Sequence, residues 1–249
     1  MPNETYPKFC PVAMAASLLE PRWTMLVLCE IWSGSTRFNE INRGVPGMSP
    51  GLLSKRLREL EANGLVTRSE DGPGGHAEYL ATQMAEELKP LIMGLGNWAH
   101  RNIDCNLSLA SLDARMLMWK IRGKIDLMEM PRRKSVIQFI LNDTPQGTQN
   151  YWLVAKPGEE TDLCFTDPKH AVDLYIVSKL RDLTAAWMGH ARFETMIGDG
   201  RISLIGHDLL ARTLTKWLVR SSFADQAPPQ EPEPDDRVAA AAGNRPGQG

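Results

Sequence analysis

Leu53, Leu57 and Leu60 recur at spacings of four and three, while Gly51, Ser54, Lys55 and Arg58 fall on other faces of the same run. That pattern predicts a helix with a buried leucine stripe and a small, hydroxylated, basic outer surface. Ser49 stands where an N-cap belongs, and Pro50 follows at the first helical position. Just before them, Val45-Pro46-Gly47 breaks a shorter helix that Arg37 begins. Further upstream, Pro11 opens a helix to about Leu19, and Trp23 to Trp32 is apolar on nearly every side, the mark of a buried central helix. Downstream, Leu65–Arg68 and His76–Leu80 read as strands joined by the turn Gly72-Pro73-Gly74-Gly75. Met84, Leu88, Leu91, Leu95 and Trp98 then recur every three or four residues, which predicts a long amphipathic helix over Gln83–Asn102.

The pattern changes near Cys105 to Leu109. Beyond it, a helix is expected over Leu109–Ile121, strands over Ser135–Leu141, Asn150–Val154, Thr161–Phe165 and Val172–Val177, a helix over Leu180–Met188, a strand over Arg201–Ile205 and a helix over Asp208–Ser221. Strands and helices mix without regular alternation, so the fold class is α+β. From Asp225 the chain is rich in Pro, Ala, Gly and acid and has almost no bulky apolar residue, which predicts a disordered tail. The domain reading is therefore 1–105, 107–224 and a tail 225–249.

A helix pair with a capped second member, followed by a two-stranded hairpin, has the layout of a winged DNA-binding domain. The outer face of such a second helix suits a major groove. Ser49, Gly51, Ser54, Lys55 and Arg58 are its candidate contacts with double-stranded DNA; the plain alternative is a solvated face balanced by Glu59 and Glu61. Arg37 is a candidate phosphate ligand, and Arg68 and His76 flank the hairpin as candidate backbone contacts. Arg56 points elsewhere, to a phosphate or to nothing. A domain of only about 100 residues leaves the stripe of Gln83–Asn102 little core to cover, so pairing with a second copy is expected, giving a homodimer suited to palindromic sites.

Composition narrows the rest. The chain has 249 residues, 43% hydrophobic and 23% charged, with a net charge of -2, so any nucleic-acid contact comes from a local basic patch. The four cysteines are scattered and the five histidines form no ligand spacing, so neither a metal site nor a disulfide framework is expected. No apolar run approaches the roughly 20 residues of a membrane span, and the N-terminus lacks signal-peptide character. A cytoplasmic protein without cofactor is expected. There is no GxSxG, phosphate loop or dinucleotide fingerprint, so no enzyme is expected.

Several of these motifs agree in order and spacing: CPVAMAASLLEPRWTMLVL, RFNEI and PGMSPGLLSKRLRELEANGLV. Together they resemble the HxlR-type winged helix-turn-helix regulators, over roughly residues 9 to 102. The resemblance implies homodimeric DNA binding and, in many members, sensing of small molecules or electrophiles. It places Cys10 where some members sense oxidants; a thiol ahead of a helix start also sits where the helix dipole favours thiolate. The alternative for Cys10 is a small apolar side chain at the dimer seam. One departure is the end of the hairpin, Tyr79-Leu80-Ala81-Thr82, where the family carries Tyr-x-Leu-Thr.

A second resemblance covers about residues 107 to 224. VDLYIVSKLRDLTAAWMG, IGDGRISLIG and LLARTLTKWLVRSSFA resemble the sterol carrier protein-like fold. It implies an apolar tunnel for a hydrophobic small-molecule effector, lined by Phe139, Trp152, Phe165, Tyr175, Trp187, Leu204, Leu214 and Trp217. Three functions stay open: an effector-responsive regulator, a thiol-based redox regulator using Cys10, and a lipid-binding carrier.

Overall fold

Nine residues from Pro11 build the first helix, α1 (Pro11–Leu19), and none of its side chains is buried. A computed structural model describes residues 9–70, 76–103, 109 and 112–225. The expected turn at Gly72–Gly75, the boundary residue Cys105 and the tail beyond Asp225 lie outside them. Asp225 itself is described, paired with Arg220 at 2.6 Å.

α2 (Thr24–Trp32) buries Val27, Leu28 and Ile31, as its all-round apolar sequence predicts. It also buries Glu30, which the sequence does not flag. α3 (Phe38–Gly44) starts in a capping box: the Glu40 carboxylate accepts from the backbone N–H of Thr36 and Arg37, at 3.2 and 3.1 Å. α4 (Pro50–Ala62) starts at Ser49, whose Oγ accepts from Leu52 N at 3.3 Å, with Pro50 next. Leu53, Leu57 and Leu60 are the buried stripe, packed with Val27, Leu28 and Ile31 in one core.

β1 (Val66–Ser69) and β2 (Glu78–Ala81) form the hairpin, in antiparallel register from Val66↔Ala81 to Ser69↔Glu78. A third, one-residue element joins it, because Arg37 bridges Glu78 and Tyr79 N donates to Thr36 O at 2.8 Å. Thr82 closes the hairpin. Its hydroxyl donates to Gly64 O at 2.7 Å and accepts from Ala85 N at 3.3 Å, so the same residue caps α5 (Gln83–Asn102). In α5, Ala85 and Ile92 are buried and Leu88 packs on the core, while Met84, Leu91, Leu95 and Trp98 are exposed. The apolar stripe is thus left largely uncovered by its own chain.

The second half is a five-stranded sheet with helices packed on one face. α6 (Ala114–Arg122) starts later than expected, because Asp113 Oδ1 caps it through Met116 N at 2.8 Å. β3 (Ser135–Leu141), β4 (Asn150–Ala155), β5 (Asp162–Cys164), β6 (Leu174–Ser178) and β7 (Ile202–Gly206) stand in the order β5-β4-β3-β6-β7. β3 and β6 run parallel; the other neighbours are antiparallel. α7 (Leu180–Met188) and α8 (Phe193–Gly198) lie between β6 and β7, and α8 has no counterpart in the sequence reading. Leu117, Met118, Leu183, Trp187, Phe193 and Trp217 pack on Ile137, Phe139, Leu153 and Ile176 to form the core.

The helix expected over Asp208–Ser221 needs correction. It is two short helices, α9 (Asp208–Arg212) and α10 (Leu214–Trp217), with Thr213 between them. Leu218 then leaves the helix to bridge Ile125, and Trp217 O accepts from Asp126 N at 2.8 Å. Non-local hydrogen bonds win over the local apolar period there.

The halves meet along α2, α3 and α6. The Glu30 carboxylate accepts from Trp119 Nε1 at 2.7 Å and from Ser35 Oγ at 3.0 Å, and it pairs with Lys120. Gly44 permits this approach: a Cβ there would lie 1.9 Å from the Glu30 carboxyl carbon.

Candidate nucleic-acid interface

Positions 51, 54, 55 and 58 share one side of α4 because a helix repeats every 3.6 residues. Gly51, Lys55 and Arg58 are exposed and Ser54 is half-buried. A Cβ added at Gly51 would meet only open space, so another molecule's backbone can approach closely there. Lys55 Nζ lies 3.9 Å from Glu59, a loose exposed pair that holds the ammonium weakly. Arg58 makes no hydrogen bond or ion pair among the described residues. Ser49 stands at the tip; its oxygen caps the helix while its O–H remains able to donate. Arg56 turns inward. Its side chain is 9% exposed and pairs with Glu59, which removes it from this face.

The remaining candidates lie around the hairpin. Arg37 is half-buried where α3 starts, beside Glu78 of β2. Arg68 sits on β1, 2.6 Å from Glu70, with both side chains exposed. His76 is exposed at the start of the returning segment. Thus the structure groups Ser49, Gly51, Ser54, Lys55 and Arg58 on one helix, and places Arg68 and His76 on the hairpin.

The cap gives a direct expectation. Ser49→Ala removes the acceptor of Leu52 N and should lower stability by about 1 kcal/mol, read as a shift in the urea midpoint at constant m-value.

Residues 18–106 match the family model of the HxlR-like helix-turn-helix. An uncharacterized HTH-type transcriptional regulator of Methanothermobacter thermautotrophicus is 36% identical over 92 residues, which span 36% of this chain and 69% of that protein. The uncharacterized HTH-type transcriptional regulator YvaP of Bacillus subtilis is 35% identical over 104 residues, 41% of this chain and 93% of the relative. The chain belongs to the HxlR-like helix-turn-helix family. Among solved structures, the reduced form of the transcriptional regulator YodB from B. subtilis is similar to this chain at 31% identity and a TM-score of 0.35, covering 38% of this chain and 95% of that one. The HxlR family match leaves residues 107–249 outside it.

In this HxlR-like chain, the eight residues expected to line one apolar tunnel do not share a wall. Phe139, Leu214 and Trp217 are sealed in the core between sheet and helices, with Leu204 packed against it. Trp152 belongs to a separate cluster with Val136 and Val154, on the opposite face of the sheet. Tyr175 also faces away from that core: Tyr175 and Trp152 both stand opposite Gln138, whereas Phe139 stands opposite Ile176. Phe165 is 40% exposed. Strand alternation therefore divides the set. Trp187 alone of the eight borders a large cavity, which lies between the two halves of the chain.

Sequence reasoning missed Glu30 and its partners Trp119 and Lys120, which are some ninety positions away. A lone glutamate in an apolar helix was the only available signal. It also missed the stacked pair His100–His190, ring centroids 4.7 Å apart, which joins the end of α5 to the loop after α7. Burial holds both imidazoles below their ordinary range; for His190 the neighbouring His100 adds a smaller push in the same direction. A lowered imidazole pKa supports the folded state above the unfolded value of about 6.5 and loses that support as pH falls through the folded one. Hydrogen-exchange protection factors near His100 and His190, corrected for the intrinsic pH dependence of exchange, should therefore fall below about pH 6.5, and His190→Asn should weaken that dependence.

Cys10 occupies the N-cap position of α1, half-exposed and with its thiol in no disulfide. No single helix among the described residues is long and apolar enough to cross a membrane.

Proposed function

We propose that this chain is a homodimeric DNA-binding transcriptional regulator whose winged helix domain reads a palindromic operator and whose second domain makes it responsive to a hydrophobic effector. The observation that carries the reading is the outer face of α4: Gly51, Ser54, Lys55 and Arg58 stand free of the core while Leu53, Leu57 and Leu60 anchor the helix from behind. Ser49 and Arg37 hold phosphates at the two helix starts, and Arg68 and His76 lie along the backbone beside the hairpin. The relatives named as HTH-type transcriptional regulators support the same reading.

Dimerisation draws on apolar side chains that the chain leaves exposed: Phe9, Val12 and Met14 around α1, and Leu91, Leu95 and Trp98 on α5. For the second domain, the sterol carrier protein-like reading is supported by the helix-covered sheet and by the Gly-x-Ile-x-Leu-x-Gly run, whose Ile202–Gly206 part forms edge strand β7.

Gel shift with the DNA upstream of the protein's own gene tests the reading, with sedimentation giving the oligomeric state. A salt-sensitive shift by a dimer supports it; a folded protein that binds no operator overturns it. A second reading, thiol-based redox control, is favoured by the half-exposed Cys10 at the start of α1. Under it, Cys10→Ser abolishes any oxidant response of operator binding; under effector control that response is absent from the start.

A further inference from the structure

Between the winged helix domain and the sheet domain lies a cavity of about 620 Å³, within the size range of small-molecule sites. Trp32 of α2 and Met93 of α5 face it from one side; Met116 of α6, Trp187 of α7 and Phe223 face it from the other. α5 comes close to the Phe223 segment because position 96 is glycine: a Cβ there would lie 2.6 Å from the Phe223 ring. The wall is mainly apolar, yet it holds polar groups awaiting a partner. Lys124 also borders the cavity; its ammonium donates to Ser222 Oγ at 2.7 Å and has no carboxylate within ion-pair distance among the described residues. Lys89, at the rim, is only loosely held by Glu86 at 3.7 Å. Glu30 lines the cavity too, but Lys120 and Trp119 already satisfy it.

A cavity with a mainly apolar wall, one ammonium without a carboxylate partner and a second weakly held one matches a molecule with an apolar body and an anionic acceptor head. We infer that the interdomain cavity is a binding site for a hydrophobic carboxylate, its head on Lys124 and its body among Met93, Met116, Trp187 and Phe223. A singly charged head needs only Lys124, whereas a dianionic one would also have to draw Lys89 away from Glu86. The site replaces the tunnel within the sheet domain as the seat of the effector, and its regulatory meaning rests on the function proposed above. An occupant would touch α2, whose Val27, Leu28 and Ile31 pack with the leucines of α4. Binding at the junction thereby favours one placement of the DNA-reading helix over another.

The test uses the full-length protein, with decanoate as probe and decanol as its uncharged counterpart. Binding is followed by tryptophan emission, since Trp32, Trp119 and Trp187 line the cavity, and by calorimetry. Decanoate is expected to bind saturably at one per chain, and decanol at least about tenfold more weakly, as loss of a charge-assisted hydrogen bond implies. Lys124→Met should weaken decanoate about tenfold while leaving decanol unchanged. Lys216→Met, outside the cavity, should match the parent. Absence of saturable decanoate binding, equal binding of acid and alcohol, or unchanged decanoate affinity in the folded Lys124→Met protein overturns the proposal. No DNA enters this assay, so its failure removes the site and leaves operator binding to its own measurement.

Discussion

Replacing Lys55 and Arg58 together by alanine is expected to lower operator affinity at least about 30-fold, with the fold intact. Each side chain, if it holds a base edge or a phosphate, contributes about 1–3 kcal/mol, and each 1.4 kcal/mol is tenfold in affinity. Both lie on the exposed side of α4, and neither is held firmly by the protein: Lys55 has only Glu59 at 3.9 Å, and Arg58 has no described partner. Their loss should therefore change stability by no more than about 0.5 kcal/mol. If both contact phosphates, the slope of log affinity against log salt should fall by nearly two, since each neutralised phosphate contributes about 0.9. Fluorescence anisotropy over a salt series, with circular dichroism and sedimentation on the same samples, measures all three quantities. Unchanged affinity in the folded protein would sink the DNA-reading assignment of this face.

Glu30→Ala is expected to destabilise the chain by about 3 kcal/mol, the lower edge of what breaking a buried ion pair costs. Glu30 is 1% exposed, and its carboxylate serves Ser35, Trp119 and Lys120 at once. Alanine leaves the Trp119 N–H and the Ser35 hydroxyl without a partner and empties space at the seam. The cost stays near the lower edge because the Lys120 side chain, 25% exposed, can turn toward water. Gly44→Ala attacks the same contact from the other side, since its Cβ would overlap the carboxyl of Glu30. The two substitutions should be strongly non-additive: once Glu30 is alanine, the added methyl at position 44 finds room. Chemical denaturation of the four proteins of this cycle measures the coupling. Additive losses would show that Glu30 and Gly44 do not share one contact.

Local signals reached most of the winged helix domain. The cap at Ser49, the break at Val45-Pro46-Gly47 and the leucine spacing of α4 each act within a few residues, so chain order already contains them. The exposed stripe of α5 was legible for the same reason: Met84, Leu91, Leu95 and Trp98 are too many for a small domain to cover. In the second half, β3 and α7 appear as their periods predict, because a fully packed strand and an amphipathic helix declare themselves locally. Asp208–Ser221 does not, since Leu218 answers to Ile125 rather than to its own helix.

From sequence alone came the helix pair and wing, the hydroxylated and basic character of the candidate reading face, and the α+β character of the second half. All of these rest on short-range periodicity, caps and turns. Only the tertiary structure decided that Glu30 is the buried clasp between the halves, that Trp152 and Phe139 stand on opposite sides of one sheet, and that a cavity of about 620 Å³ lies at the junction. Each depends on groups brought together from distant positions, and no local pattern specifies which distant surfaces will meet, because that choice is made by packing the whole chain at once.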